Sequence, residues 1–136
     1  PVKNESLGAG AVEVLRILNL HRRKNLRLRH WQFTNDDYVE RLRKATFGEQ
    51  RQLTLPADEL DRFQERWTAT NQQVAREYFG EESGELFPTP ARTSGRTTVQ
   101  RLDPADFEPY LDLLEIAEAD RPALRAIAER EAGRHR

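Results

Sequence analysis

The chain has 136 residues, enough for about one domain, and 22 basic against 23 acidic side chains give it a net charge of −1. The absence of cysteine excludes disulfides and thiolate metal sites, and the near-neutral charge excludes a general attraction to nucleic acid. Charged residues make up 33% of the sequence, which exceeds the usual quarter and suits amphipathic helices with wide solvated faces. Since the sequence contains no apolar run of about 18 residues, we expect no membrane span and a cytoplasmic protein.

The first predicted helix runs from about Leu7 to His21, with Ser6 as its N-cap. Gly8 and Gly10 weaken its first turns, because glycine is a poor helix former. Its apolar residues recur at three- and four-residue spacing and share one face: Leu7, Ala11, Val14, Leu15 and Leu18.

A second helix is predicted to start after Thr34 or Asn35, either of which can act as its N-cap. Asp36 and Asp37 fall in its first turn, where a negative charge complements the helix dipole. We expect this helix to continue to Gly48, with an apolar face formed by Tyr38, Leu42 and Ala45.

The third predicted helix begins at Pro56 after an N-cap at Thr54, and it ends at Phe79 with Gly80 as a left-handed C-cap. Five apolar residues share one face over about six turns, and we call them the aromatic stripe: Leu60, Phe63, Trp67, Val74 and Tyr78. Asn71 lies on the same face, where a polar side chain can fix helix register. We therefore predict that this helix is the spine of the core and that Trp67→Ala abolishes most of the stability.

The sequence then becomes rich in Gly, Ser, Thr and Pro, which predicts a mobile linker over 89–100. Two further helices are predicted at 103–119 and 120–132. Their apolar faces contain Phe107, Tyr110, Leu111, Leu114, Leu124, Ile127 and Ala128. The prediction is an all-α fold, an irregular bundle of four to five helices, with a main helical region at 1–88, the linker, and a C-terminal helical segment at 101–136.

One segment has a local excess of positive charge, because no acidic residue occurs between Val14 and Asn35. Such a segment carries a local positive potential in any fold, and its functional interpretation is contact with phosphate or sulfate. We call residues 22–29 the basic segment, and its candidate anion-binding residues are Arg22, Arg23, Lys24, Arg27 and Arg29.

A structural interpretation of the same segment is that its first cations complement the dipole at the C-terminal end of a helix, and that the arginines after the helix pair with acidic helix residues such as Asp112, Glu115 and Glu118. Trp31 and Phe33 then anchor the chain to the core, although they could also stack on bases. Because a chain of net charge −1 offers little attraction beyond this one segment, we favour the internal interpretation.

No catalytic, cofactor or metal site is predicted. The sequence has no GxSxG elbow, no GxxxxGK[ST] loop and no GxGxxG loop. The three histidines, His21, His30 and His135, are too widely spaced for a zinc site on one helix face, so we expect them to be surface residues. The acidic pair Asp36 and Asp37 is explained by the start of a helix.

Two stretches together resemble the C-terminal helical portion of bacterial sulfotransferase-like and polysaccharide-associated proteins: NESLGAGAVEVLRILN (4–19) and LPADELDRFQERWTATNQQVAREYFGEESGELF (55–87). The resemblance covers about half the chain and consists of helix-packing patterns. It implies a helical region that follows a nucleotide-sulfate or sugar-nucleotide domain. The phosphosulfate-binding loop of such transferases is absent from this sequence, so no catalytic residue is carried over.

The function expected from the resemblance is a non-catalytic accessory or interaction domain of a larger bacterial polysaccharide-modifying protein, with another protein domain as its partner. The alternative is a small module that uses the basic segment to bind nucleic acid or another polyanion, such as an anionic glycan. An intact transferase is the least favoured possibility, because its donor site is missing.

Overall fold

The computed structural model describes residues 6–32, 34–86, 95–100 and 102–134, and within them the protein is mostly helical, as predicted. In chain order, its elements are α1 (Ala9–Lys24), a 3-10 helix (His30–Gln32), α2 (Asp36–Leu42), β1 (Gln52–Leu53), α3 (Ala57–Phe79), β2 (Arg96–Thr97), α4 (Pro104–Leu113) and α5 (Arg121–Arg134). In this part of the chain, no helix is both long and apolar enough to cross a membrane. The predicted linker at 89–100 lies partly outside the described residues.

The chain divides into two compact units. Unit 1 consists of Pro1–Leu53 together with Val99–Arg136, and it contains α1, α2, α4 and α5. Unit 2 consists of Thr54–Thr98, and α3 is the only α-helix among its described residues.

Helix α1 starts at Ala9 after Gly8, so the predicted N-cap at Ser6 is wrong. Backbone groups replace a side-chain cap, because the Ala9 amide donates to the Arg51 carbonyl at 2.8 Å and the Gly10 amide donates to the Glu49 carbonyl at 3.1 Å. A β-carbon on Gly8 would lie 2.6 Å from the Glu49 carbonyl oxygen, so this close approach requires glycine.

Helix α2 is shorter than predicted, since it ends at Leu42 and not near Gly48. The Thr34 hydroxyl accepts a hydrogen bond from the Asp36 amide at 3.1 Å, which stabilises the start of the helix. Leu42 and Ala45 are nevertheless both buried, so the predicted apolar face continues beyond the helix end.

Helix α4 starts at its predicted position, where the Asp103 carboxylate accepts a hydrogen bond from the Ala105 amide at 3.0 Å and Pro104 occupies the first turn. It ends at Leu113, earlier than predicted, and Glu115 has a left-handed backbone with φ of +53° just beyond it. Pro109 lies inside the helix without ending it.

The core of unit 1 forms where α1 packs against α4 and α5 and α2 packs against α4. Its largest fully buried side chains are Tyr110, Ile17, Leu111, Leu124 and Val14. The Tyr110 ring lies 4.8 Å from the Phe47 ring, centroid to centroid, and its hydroxyl donates to the Phe47 carbonyl at 3.3 Å. The predicted apolar faces of α1, α4 and α5 therefore supply the core.

Unit 2 does not follow the prediction for its long helix. Helix α3 ends at Phe79 with Gly80 in the left-handed conformation (φ +67°), as predicted, but Thr54 is not its cap and its one buried residue is Ala75. Trp67 is 45% exposed and Tyr78 is 78% exposed, so α3 is not the spine of a core. The physical reason is that the described part of unit 2 contains no second helix to cover the aromatic stripe.

Candidate anion-binding surface

The basic segment begins in the last turn of α1 and continues through a tight backbone turn. The Asn25 amide donates to the His21 carbonyl at 2.7 Å, and the Leu28 amide donates to the Arg22 carbonyl at 2.9 Å. Arg27 has a left-handed backbone with φ of +53°, which costs about 1–2 kcal/mol for a residue that carries a β-carbon. The backbone hydrogen bonds therefore hold the segment in a defined turn.

Arg22 contributes to packing within unit 1. Its Nη1 donates to the Thr34 carbonyl at 3.1 Å and to Asn35 Oδ1 at 3.0 Å. Its guanidinium carbon also lies 4.7 Å from the centroid of the Tyr38 ring, within the range of a cation–π contact. These contacts connect the end of α1 to the start of α2, so Arg22 has a structural role.

The other four candidate cations are exposed: Arg23, Lys24, Arg27 and Arg29. Among the described residues, none of the four side chains forms an ion pair or a hydrogen bond. Their positive charges are therefore uncompensated by the part of the protein that the structure describes.

The acidic residues predicted as internal partners are paired elsewhere. Glu115 pairs with Arg41 at 2.7 Å. Asp112 and Glu118 pair with Arg121 at 2.7 and 3.2 Å. The predicted pairing with these three carboxylates is therefore wrong for the four exposed cations, because Arg41 and Arg121 pair with them.

The helix dipole, the other part of the internal interpretation, accounts for part of this positive charge, as predicted. Arg23 and Lys24 lie in the last turn, where cations stabilise the partially negative carbonyl end of a helix by about 0.3–1 kcal/mol. Arg27 and Arg29 lie beyond the helix end, so the dipole does not explain them. An external anion would give all four side chains a partner.

An exposed tryptophan follows the four cations. Trp31 is 68% exposed, so the prediction that it anchors the segment to the core is wrong. It lies in the 3-10 helix, which is fixed at Arg29 by two hydrogen bonds: Gln32 donates its amide to the Arg29 carbonyl at 2.9 Å, and its Oε1 accepts from the Arg29 amide at 2.6 Å. Phe33, the other predicted anchor, lies outside the described residues.

His21 lies in the interior, where the sequence predicted a surface histidine. Its Nδ1 lies 2.9 Å from Asn25 Nδ2, so the ring nitrogen accepts a hydrogen bond from this amide. Its Nε2 is buried without a hydrogen-bond partner among the described residues, and Asp120 Oδ1 lies 3.5 Å from it. Through the hydrogen bond with Asn25, His21 helps to position the basic segment. His135 lies outside the described residues.

A buried cluster of two carboxylates and one arginine, which the sequence did not predict, lies between α1 and α5. Arg16 donates to both oxygens of Glu13, at 2.9 and 2.6 Å, and to Glu131 at 2.8 Å, and both carboxylates are buried. Gln100 also donates to Glu13 at 2.8 Å. The hydrogen bond from Arg16 holds the pKa of Glu131 below its usual value.

This cluster ties α1 to α5 and is not a free acid–base site, because both carboxylates are already hydrogen-bonded. The spacing of Glu13 and Arg16 by three residues was an available signal for one half of it. Glu131 lies 115 residues from Arg16 in the chain, so no local pattern could indicate the other half.

Within the described residues, no group of three or more His, Cys, Asp or Glu residues could hold a metal ion. Asp36 and Asp37 lie exposed in the first turn of α2, where their negative charges complement the helix dipole, as predicted.

No protein-family model, no curated protein and no solved structure matches the chain.

Proposed function

We propose that this chain is a non-catalytic helical accessory domain of a larger bacterial polysaccharide-modifying protein, and that its basic segment holds an anionic glycan. The observation that carries the proposal is the set of four exposed cations without a carboxylate partner, Arg23, Lys24, Arg27 and Arg29. Sulfate or carboxylate groups of a glycan are the acceptors that these side chains lack. In this proposal α1, α2, α4 and α5 form an irregular bundle that supports the segment.

The turn suits a repeating polymer better than a small ligand. Four exposed side chains offer several weak, additive contacts. Their charge acts through counterion release, which rewards a partner with many regularly spaced anions. Arg22, which binds Thr34, Asn35 and Tyr38, keeps the turn in place.

A heparin oligosaccharide tests the proposal, with binding followed by fluorescence anisotropy at rising salt. If four anions are neutralised, the logarithm of affinity should fall with the logarithm of salt at a slope of about −3. Replacing the four cations by glutamine should abolish binding and leave the thermal melt unchanged, because the side chains are exposed.

A matched control replaces three other arginines and one lysine on exposed positions: Arg43, Lys44, Arg76 and Arg96. This variant changes the net charge by the same amount but leaves the basic segment intact, so it should bind heparin like the wild type. The proposal is rejected if both variants lose binding equally, or if the wild type does not bind at about 150 mM salt.

Single-stranded nucleic acid is a second candidate ligand, and the exposed Trp31 beside Arg29 favours it. Stacking of one base on an aromatic ring contributes about 1–3 kcal/mol in proteins that bind single strands. Trp31→Ala should therefore weaken binding of a labelled oligothymidine about tenfold or more and leave heparin binding unchanged. If Trp31→Ala weakens the binding of both ligands equally, or weakens the binding of neither, single-stranded nucleic acid is ruled out as the ligand.

A further inference from the structure

The aromatic stripe of α3 lies open to solvent along most of the helix. Phe63 is 58% exposed, Trp67 and Tyr78 are exposed as well, and Leu60 and Val74 are half-buried. From the geometry of an α-helix, these five side chains fall within about 60° around the axis and extend over about 27 Å. Continuous apolar patches of this kind mark interaction sites on proteins.

We propose that the aromatic stripe pairs with the same stripe of a second copy of this chain. The proposal is independent of glycan binding, because it concerns α3 of unit 2 and not the basic segment of unit 1. Symmetric pairing covers the patch with a surface of the same apolar character, as the isologous interfaces of two-fold dimers do. The charged side chains Arg62 and Glu65 lie on the opposite side of α3 and remain in solvent.

The exposed area is sufficient for a weak dimer. A fully buried aromatic side chain covers about 150–250 Å², so the exposed fractions of Phe63, Trp67 and Tyr78 offer about 350 Å² together. With Leu60, Val74 and the polar residues beside the stripe, each copy contributes about 500 Å², and two copies reach the roughly 1,000 Å² expected of a specific interface. We therefore expect a dissociation constant in the micromolar range.

The charges beside the stripe favour a parallel arrangement of the two helices. In a parallel pair, the border with Glu59 and Arg66 meets the opposite border of the other copy, which carries the neutral Gln64 and Asn71. In an antiparallel pair centred on the stripe, Glu59 of one copy lies close to Glu77 of the other, and these like charges repel.

Asn71 gains a hydrogen-bond partner in the parallel arrangement. Its carboxamide lies on the same face as the stripe and makes no hydrogen bond within the described residues. In a parallel pair its border of the stripe meets the border of the other copy that carries Arg66, so the Asn71 carboxamide oxygen can accept a hydrogen bond from that guanidinium.

Sedimentation equilibrium of the 136-residue chain from about 1 to 200 µM tests the association. The average mass should rise from 15.8 kDa toward twice that value. Phe63→Glu should stay at the monomer mass and keep its helical spectrum, because the ring is exposed, and Tyr78→Glu repeats the test at a second position. The matched control is Phe79→Glu, which changes an exposed phenylalanine outside the stripe and should associate like the wild type.

Two results would overturn the dimer: a wild type that stays monomeric over the whole range, or Phe63→Glu and Tyr78→Glu variants that associate like the wild type. Acrylamide quenching of Trp67 fluorescence, in a Trp31→Phe background, measures whether the stripe is accessible to solvent in the monomer. A monomer in which Trp67 is protected from acrylamide would mean that another part of the chain covers the stripe, and the proposal would then fail.

Cross-linking tests the orientation, since the natural chain contains no cysteine. A disulfide requires Cα atoms within about 7 Å, a condition that a parallel pair meets at position 74, near the centre of the stripe. Val74→Cys should therefore form a disulfide-linked dimer under mild oxidation, whereas Glu65→Cys, on the opposite side of α3, should not. A dimer that persists without cross-linking at position 74 would contradict the parallel arrangement.

Discussion

Helices α1 and α3 have the same three- and four-residue spacing of apolar side chains, but only the face of α1 is buried. Val14 and Ile17 of α1 are fully enclosed, whereas Phe63 and Tyr78 of α3 are largely exposed. Helix α1 packs against α4 and α5 in unit 1, and α3 is the only α-helix among the described residues of unit 2. Spacing therefore predicts which face of a helix is apolar, but not what covers that face.

The largest expected loss of stability comes from a carboxylate placed on the buried face of α1. Val14→Asp puts an unpaired carboxylate into the core of unit 1, which costs several kcal/mol against a total stability of about 5–15 kcal/mol. We expect this variant to lose cooperative unfolding in a thermal melt followed by circular dichroism.

The matched variant is Val74→Asp on α3, where the side chain is half-buried and the new carboxylate reaches water. It should keep a cooperative melt. If Val14→Asp melts within a few degrees of the wild type, or if Val74→Asp unfolds as completely, the contrast between the two helices is wrong.

The next largest loss of stability is expected from replacing Arg16, because Arg16 hydrogen-bonds two buried carboxylates. Arg16→Met leaves Glu13 and Glu131 without their main donor, and we expect a loss of about 2 kcal/mol after allowing for the partial exposure of Arg16. The control is Arg62→Met on α3, which removes an exposed pair with Asp58 at 2.7 Å and should change stability by less than about 0.5 kcal/mol. Urea unfolding of both variants measures the difference.

Low pH should weaken the contact between Arg16 and Glu131. Hydrogen bonding from Arg16 lowers the pKa of Glu131 in the folded protein below its ordinary value of 4.5. A carboxyl with a lowered folded pKa adds stability above its unfolded pKa, and this stability is lost as the pH falls through the folded pKa. Lowering the pH from about 6 to 3 should therefore shift the urea midpoint less in Arg16→Met than in the wild type. A larger shift in the variant would contradict this sign.

A small loss of stability is expected for Trp67→Ala, in contrast to the large loss that the sequence predicted. Trp67 is partly exposed and lies outside the core of unit 1, so the loss at about 1 µM chain should stay below roughly 1 kcal/mol. At concentrations where the chain dimerises, the loss should increase. A large loss at the lowest concentration would show that the stripe is buried within one chain.

The sequence predicted most helices and the core of unit 1 well, because these depend mainly on the local spacing of apolar residues. Asp103 and Pro104 start α4, Gly80 ends α3, and Leu111 and Leu124 are buried as expected. Helix ends were less accurate. The end of α2 at Leu42, for example, has no signal in the sequence.

The candidate site was predictable as a segment but not in its detail. Absence of acidic residues between Val14 and Asn35 indicated a local positive charge. No local pattern could show that Arg121 occupies the acidic residues expected to pair with the segment, since that depends on how α4 and α5 pack. The burial of Glu131 beside Arg16 is non-local in the same way.

The most direct test of the contrast between the two units compares a buried tyrosine of unit 1 with an exposed tyrosine of unit 2. Tyr110 is fully buried and Tyr78 is 78% exposed. In urea unfolding at about 1 µM chain, Tyr110→Ala should lose about 3–5 kcal/mol, as truncation of a buried aromatic does, and Tyr78→Ala should stay within about 0.5 kcal/mol of the wild type. Equal losses for the two variants would contradict the account, because α3 would then belong to the core.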